Sequence, residues 1–159
     1  MPPSAQVQRL LDEGWRVEQF GGALSPSDFE DYLEACMDQA KRWAEHHLGA
    51  AIYAGLPATS YERDCCNRAE VCFAASILWR RRASFFDAAG THDLDSPAAT
   101  ERAQYLSHAQ GAMECAQQAL REAMRALGLP TDGIGGDWSG LATRAVETGP
   151  FPLMKRVPA

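Results

Sequence analysis

The chain lacks any excess of positive charge. Its 159 residues carry 15 Lys and Arg against 21 Asp and Glu, for a formal net charge of −6. Proteins that grip DNA neutralise its phosphates with a basic face. The acidic balance therefore excludes ordinary DNA binding, but not a protein that surrounds DNA without holding it. Long apolar runs are missing too: no stretch approaches the roughly 18–20 uninterrupted apolar residues of a membrane-spanning helix. The opening MPPSAQVQRLLDEGW has neither the basic flank nor the apolar run of a secretory signal, so the expected compartment is cytosol-like. Internal repeats and convincing strand alternation are also absent. What is present is 46% apolar residues, enough in a chain of this length to build one core without staples or metals.

Signatures of catalysis are equally scarce. Five cysteines stand at 36, 65, 66, 72 and 115, and no pair has CxxC spacing. Adjacent Cys65 and Cys66 point about 100° apart on a helix. The expectation is five reduced, core-filling thiols, since free cysteine is among the most buried residue types. A di-iron bundle needs Glu-x-x-His pairs, yet Trp43, Ala44, Ala89 and Tyr105 stand three residues before His46, His47, His92 and His108. A serine-hydrolase elbow fails because Asp137-Trp138-Ser139-Gly140 carries Asp where Gly is required. Gly133, Gly135 and Gly136 lack both a preceding strand and a following Gly-Lys-Ser/Thr, so phosphate binding has no support. No cofactor or metal is expected. Arg63 and Arg68 flank Cys65 and Cys66 near a helix N-terminus and would favour a thiolate there, but two cysteines in a helix with one turned to the core is the preferred reading.

Helix signals dominate instead. Residues 4–13 suit a short helix ended by Gly14, and residues 14–24 read as an irregular connector around Trp15, Val17 and Phe20. The first long helix opens at Ser25-Pro26-Ser27-Asp28, with a cap, a proline at the first position and a favourable charge. Phe29, Tyr32/Leu33, Cys36/Met37, Ala40, Trp43/Ala44 and His47/Leu48 then form an i, i+3, i+4, i+7 stripe, and Gly49 ends it. Residues 50–58 read as a loop. The second long helix starts at Thr59 with Glu62 three residues on, a capping-box pattern, and runs about 45 Å to Ala89. One face carries Cys65, Ala69, Cys72, Phe73, Ser76 and Trp79; Arg63, Arg68 and Glu70 fall on the other sides. Ser96-Pro97 opens the third, which stops at Leu127-Gly128-Leu129-Pro130.

Within that third helix Leu106, Met113, Leu120 and Leu127 recur every seven residues, and Ala109, Ala116 and Ala123 follow the first three of them by three. Such a large/small heptad is a helix-packing seam that lets a neighbour approach closely. Arg80, Arg81 and Arg82 lie in succession on the second helix and splay over most of its circumference, so they cannot all meet one partner. Residues 1–130 are expected to form an all-α bundle of three long helices with short terminal ones. Residues 131–159 are expected to form a Gly-rich loop and an extended arm rich in proline.

The helix ending Trp43-Ala44-Glu45-His46-His47-Leu48-Gly49 leads through a short Pro-containing loop to Ala69-Glu70, Ala74-Ala75 and Leu78-Trp79-Arg80-Arg81-Arg82. This order, over residues 25–127, resembles the small α-helical head–tail connector (adaptor) proteins of tailed bacteriophages and gene transfer agents. The resemblance implies a non-enzymatic virion protein of the neck, made in the host cytoplasm. About a dozen copies would form a ring beneath the portal protein, in the closed symmetry usual for homo-oligomers. The ring would meet a downstream stopper or tail-terminator protein and pass double-stranded DNA without sequence recognition or membrane contact. It further implies that Phe151, Pro152, Leu153, Met154, Lys155 and Arg156 form a portal-docking arm. Arg80, Arg81 and Arg82 would meet a neighbouring subunit or the DNA channel. The alternative classes are a small helical interaction module, such as an assembly chaperone or antitoxin-like partner, and a thiol or metal enzyme.

Overall fold

In the computed structural model the described residues are 5–20, 24–88 and 97–134. They form an all-α fold of five helices, three of them long, with no strand among the described residues. α1 (Ala5–Asp12) ends where Gly14 takes a positive φ of 95°, and Trp15 N–H donates back to the Leu10 carbonyl at 3.3 Å. That bond and the one from Gly14 to Leu11 make a Schellman stop, which turns the buried Trp15 onto the core. A 3-10 turn, Val17–Phe20, follows. The expected connector is thus a structured element: Trp15 and Phe20 are both buried, with rings 5.9 Å apart.

α2 (Pro26–Leu48) is capped by Ser25, whose Oγ accepts from Asp28 N–H at 3.2 Å. Its buried side chains are Phe29, Tyr32, Leu33, Cys36, Met37, Ala40, Trp43, Ala44 and Leu48, the stripe read from the periodicity. Only His47 stays half-exposed. Past Gly49 the chain re-enters a helix, α3 (Ala50–Gly55), where a loop was expected. The six residues AAIYAG contain no breaker before Gly55, and Tyr53 anchors them by burying its ring.

α4 (Tyr61–Ala88) begins one residue later than its capping-box pattern suggests. Ser60, not Thr59, is the cap: its Oγ accepts from Arg63 N–H at 3.2 Å and its carbonyl from Asp64 N–H at 3.1 Å. Antiparallel to α4 runs α5 (Pro97–Ala126), closed by a second Schellman stop at Gly128, with Leu129 N–H donating to Met124 O at 2.8 Å. α4 is the central helix. It packs against α5 along its length and against α2, and it meets α1 and the 3-10 turn. Consequently α4 has no solvent-facing stripe between Ala69 and Leu78. Ala69, Glu70, Val71, Phe73, Ala74, Ala75, Ser76, Ile77 and Leu78 are all buried. The core also continues beyond Pro130, because Ile134 is 1% exposed.

Candidate functional site

Three clusters of polar or reactive side chains surround α4. The first lies inside the fold. Glu70, read as lying off the face that carries Cys65 and Trp79, is 0% exposed, because α4 is packed by α2, α5, α1 and the 3-10 turn and covered at this point by Tyr53 of α3. Tyr53 of α3 donates its hydroxyl to Glu70 Oε1 at 2.5 Å, while Oε2 is buried with no hydrogen-bond partner among the described residues. Burial raises the Glu70 carboxyl above its ordinary range; the Tyr53 hydrogen bond and the charges of Arg63, Arg9 and Lys41 pull the other way. Arg63 fastens the same corner. Its guanidinium lies 4.5 Å from the Tyr53 ring centroid and donates to the Tyr53 carbonyl at 2.5 Å and the Leu56 carbonyl at 3.3 Å. The arrangement closes α3 over α4, and the pull of the Arg63 charge toward a Cys66 thiolate is outweighed by burial of that thiol.

The second cluster sits on α4 and α5. The three arginines diverge, as their spacing requires. Arg82 stacks over Trp79 at 5.1 Å and Tyr105 at 4.3 Å and donates to the Tyr105 hydroxyl at 2.7 Å, which itself donates to Glu101 at 2.6 Å. Arg81 lies over Phe85 at 5.5 Å, and Arg80 is half-buried. Trp79 gathers this end together, with Tyr105 at 5.5 Å, His108 at 4.8 Å and Trp15 edge-on at 4.8 Å. Cation–π contacts within the chain therefore occupy Arg81 and Arg82.

The third cluster was not legible in the sequence. Cys72 of α4 and Cys115 of α5 are joined by a disulfide, with Cα atoms 6.0 Å apart and a separation of 43 positions along the chain. The expectation of reduced core thiols stands at Cys36, Cys65 and Cys66, which are free and buried, and is corrected at these two. Beside Cys72 a cleft of about 300 Å³ opens between α1 and α4, lined by Arg9 of α1, by Glu13 just after it, and by Asp64, Asn67 and Arg68 of α4. Arg68 also pairs with Glu122 of α5. Burial pushes the thiols of Cys36 and Cys66 up to about 12, which suppresses their thiolates at neutral pH.

The heptad seam divides. Ala109, Met113, Ala116, Leu120 and Ala123 are buried and Leu127 is partly buried against the core, but Leu106 is 39% exposed. The seam thus meets this chain's own core over most of its length and emerges at the start of α5. His46 is exposed and His47 half-buried, their rings 5.4 Å apart. Burial, then the charge of His46, lowers the His47 value. No group of three or more His, Cys, Asp or Glu able to hold a metal occurs among the described residues. No helix among them is long and apolar enough to cross a membrane. The arm Phe151, Pro152, Leu153, Met154, Lys155 and Arg156, with the rest of residues 135–159, lies outside the described residues, as does the Ser96 cap. No family model matches the chain, and neither a curated protein nor a solved structure does.

Proposed function

We propose that the chain is a structural subunit of a homo-oligomeric ring, the head–tail connector of a tailed-phage neck, seated under a portal protein and passing double-stranded DNA to a downstream neck or tail protein. The observation that carries this reading is the antiparallel α4–α5 pair, 28 and 30 residues long, with large apolar side chains partly exposed along it, Tyr61 at the start of α4 and Phe85 and Leu106 toward the other end. Phe85 near the end of α4 is 38% exposed and Leu106 near the start of α5 is 39% exposed. A seam that is covered inside the protomer and uncovered at Leu106 suits a neighbour that continues the packing. The helix order of residues 25–127, with Trp79-Arg80-Arg81-Arg82 at its centre, adds the resemblance to connectors. An acidic balance of −6 suits a channel from which DNA must slide freely. Residues 151–156 are assigned to the portal.

Native mass spectrometry and electron microscopy of the chain with and without a portal ring test the proposal. The expected particle is a closed ring of about a dozen copies, in the cyclic symmetry usual for such assemblies, stacked on the portal ring. Removing residues 149–159 should abolish stacking while the helical domain keeps its melting transition. A chain that remains monomeric, or forms only a one-to-one complex with another protein, overturns the ring and favours a helical interaction module.

A further inference from the structure

Cys72 and Cys115 differ from the other cysteines in where they lie. Cys36, Cys65 and Cys66 are buried, whereas Cys72 is half-buried at the wall of a cleft and Cys115 is exposed on α5. Their Cα separation of 6.0 Å falls within the span a disulfide bridges without backbone movement. The same helix pair therefore accommodates both the bonded and the reduced state. Reactive cysteines are partly exposed with cationic groups near the sulfur; Cys72 is half-buried, and two guanidiniums stand in the lining of the cleft beside it. Arg68 stands one turn before it on the same face of α4, and Arg9 reaches the cleft from α1. Glu13 and Asp64 share that lining, so two guanidiniums and two carboxylates surround the approach to one sulfur. This pattern complements a small zwitterionic peptide that carries carboxylates and an ammonium.

We infer that Cys72 and Cys115 form a reversible dithiol–disulfide site, and that the cleft beside Cys72 admits low-molecular-weight peptide thiols of the glutathione class and their disulfides. In the oxidising direction the Cys72 thiolate attacks one sulfur of the small disulfide. The bond between its two sulfurs breaks, one small thiolate leaves with the electron pair, and a mixed disulfide forms on Cys72. Cys115, after losing its proton to solvent, attacks Cys72 Sγ and expels the second small thiolate. Two protein thiols have then given up two electrons and two protons, and one small disulfide has become two thiols. In the reverse direction a small thiolate in the cleft attacks Cys72 Sγ and Cys115 leaves; a second small thiolate then frees Cys72. A cytosolic thiol pool would hold the α4–α5 link open, and loss of that pool would close it. The site does not depend on whether the chain forms a ring.

The test uses the full chain, reduced and freed of reductant, then exposed to glutathione disulfide, quenched by alkylation and read by intact mass and peptide mapping. Wild type should end with a Cys72–Cys115 cross-link. Cys115→Ser should stop with one glutathione on Cys72, and Cys72→Ser should take up glutathione at Cys115 about tenfold more slowly, the factor expected for losing one close charge contact. Arg9→Glu and Arg68→Glu should slow the reaction with glutathione disulfide by a similar factor and leave that with cationic cystamine unslowed. Circular dichroism of each variant checks that the helices persist. Failure of Cys115→Ser to trap glutathione on Cys72 overturns the exchange site. Equal rates for glutathione disulfide in the arginine variants and wild type overturn the cleft as its recognition element.

Discussion

α4 has two long neighbours, α2 and α5, and they hold it in different ways. On the α2 side the contact is made of bulk: Phe29, Tyr32, Leu33, Met37 and Trp43 are all buried, and the Trp43 ring stacks on Phe73 with centroids 4.7 Å apart. On the α5 side it is made of small residues. Ala109, Ala116, Ala119 and Ala123 are 0–2% exposed and leave room for only Met113, Leu120 and Met124 among the larger side chains. Alanines let helix axes approach closely but bury little area each. The α5 side is reinforced by the Cys72–Cys115 bond, the Arg68–Glu122 pair and the Arg82–Tyr105 contact. One interface is held mainly by area, the other by closeness and cross-links.

Substitutions separate the two modes. The largest effect is expected from Leu120→Asp, which places an unpaired charge at a position 0% exposed on the α5 side. It should cost about 5 kcal/mol, enough to unfold many domains outright, and chemical denaturation would read it. Trp43→Ala tests the α2 side. Removing the indole from a stacked, 2% exposed position should cost roughly 3–5 kcal/mol in the same assay. A cost below that of a surface substitution would show that bulk is not what holds α2. Ala116→Leu adds volume within the alanine seam of α5, at a residue 0% exposed. Overpacking should cost about 1–3 kcal/mol, and a neutral result would mean that the alanine seam is loose.

Glu70 sharpens the comparison from inside the fold, where α3 closes over α4. Burial holds its carboxyl above the ordinary value of 4.5, so the folded chain keeps this proton to higher pH than the unfolded chain does. The corresponding stability is present in full below that ordinary value and is lost as pH rises through the raised one. Glu70→Gln keeps an acceptor for the Tyr53 hydroxyl and cannot ionise. The stability difference, variant minus wild type, should therefore increase with pH above about 4.5, the ordinary carboxyl value, and then level off. Urea denaturation across that range reads the slope, and a flat difference would show that Glu70 ionises freely in the folded chain.

The parts of this fold set by short-range patterning were legible in the sequence. The α2 stripe, its Ser25 cap and the glycine stops after Asp12 and Ala126 follow from spacing within one or two turns. α4 was legible as a helix but not as the central one. Between Ala69 and Leu78 α4 has no solvent-facing stripe to read, so Glu70 was placed off the face that carries Cys72, yet it is the more deeply buried of the two. The connector holding Trp15 and Phe20 hid its role because its partners, Trp79 and Phe29, lie elsewhere in the chain. The Cys72–Cys115 pair is of the same kind: nothing local marks two cysteines 43 positions apart as neighbours until α4 and α5 are aligned antiparallel. Arg81 and Arg82 stood out as a charged run, but which aromatic rings they cover depends on tertiary contact.

The smallest effect on stability is expected from Leu106→Asp, and its interest lies in the contrast with Leu120→Asp. Both positions belong to one heptad register, yet Leu120 is 0% exposed and Leu106 is 39% exposed. A charge at the exposed position keeps its water, so the folded chain should lose no more than about 0.5 kcal/mol. In a ring that continues the seam from one copy to the next, the same charge would be desolvated at every subunit boundary. Leu106→Asp should then leave the melting transition of the isolated chain in place and shift native mass spectra from ring to monomer. A variant that melts early would place Leu106 in the protomer core. One that assembles like wild type would move the subunit boundary away from the start of α5.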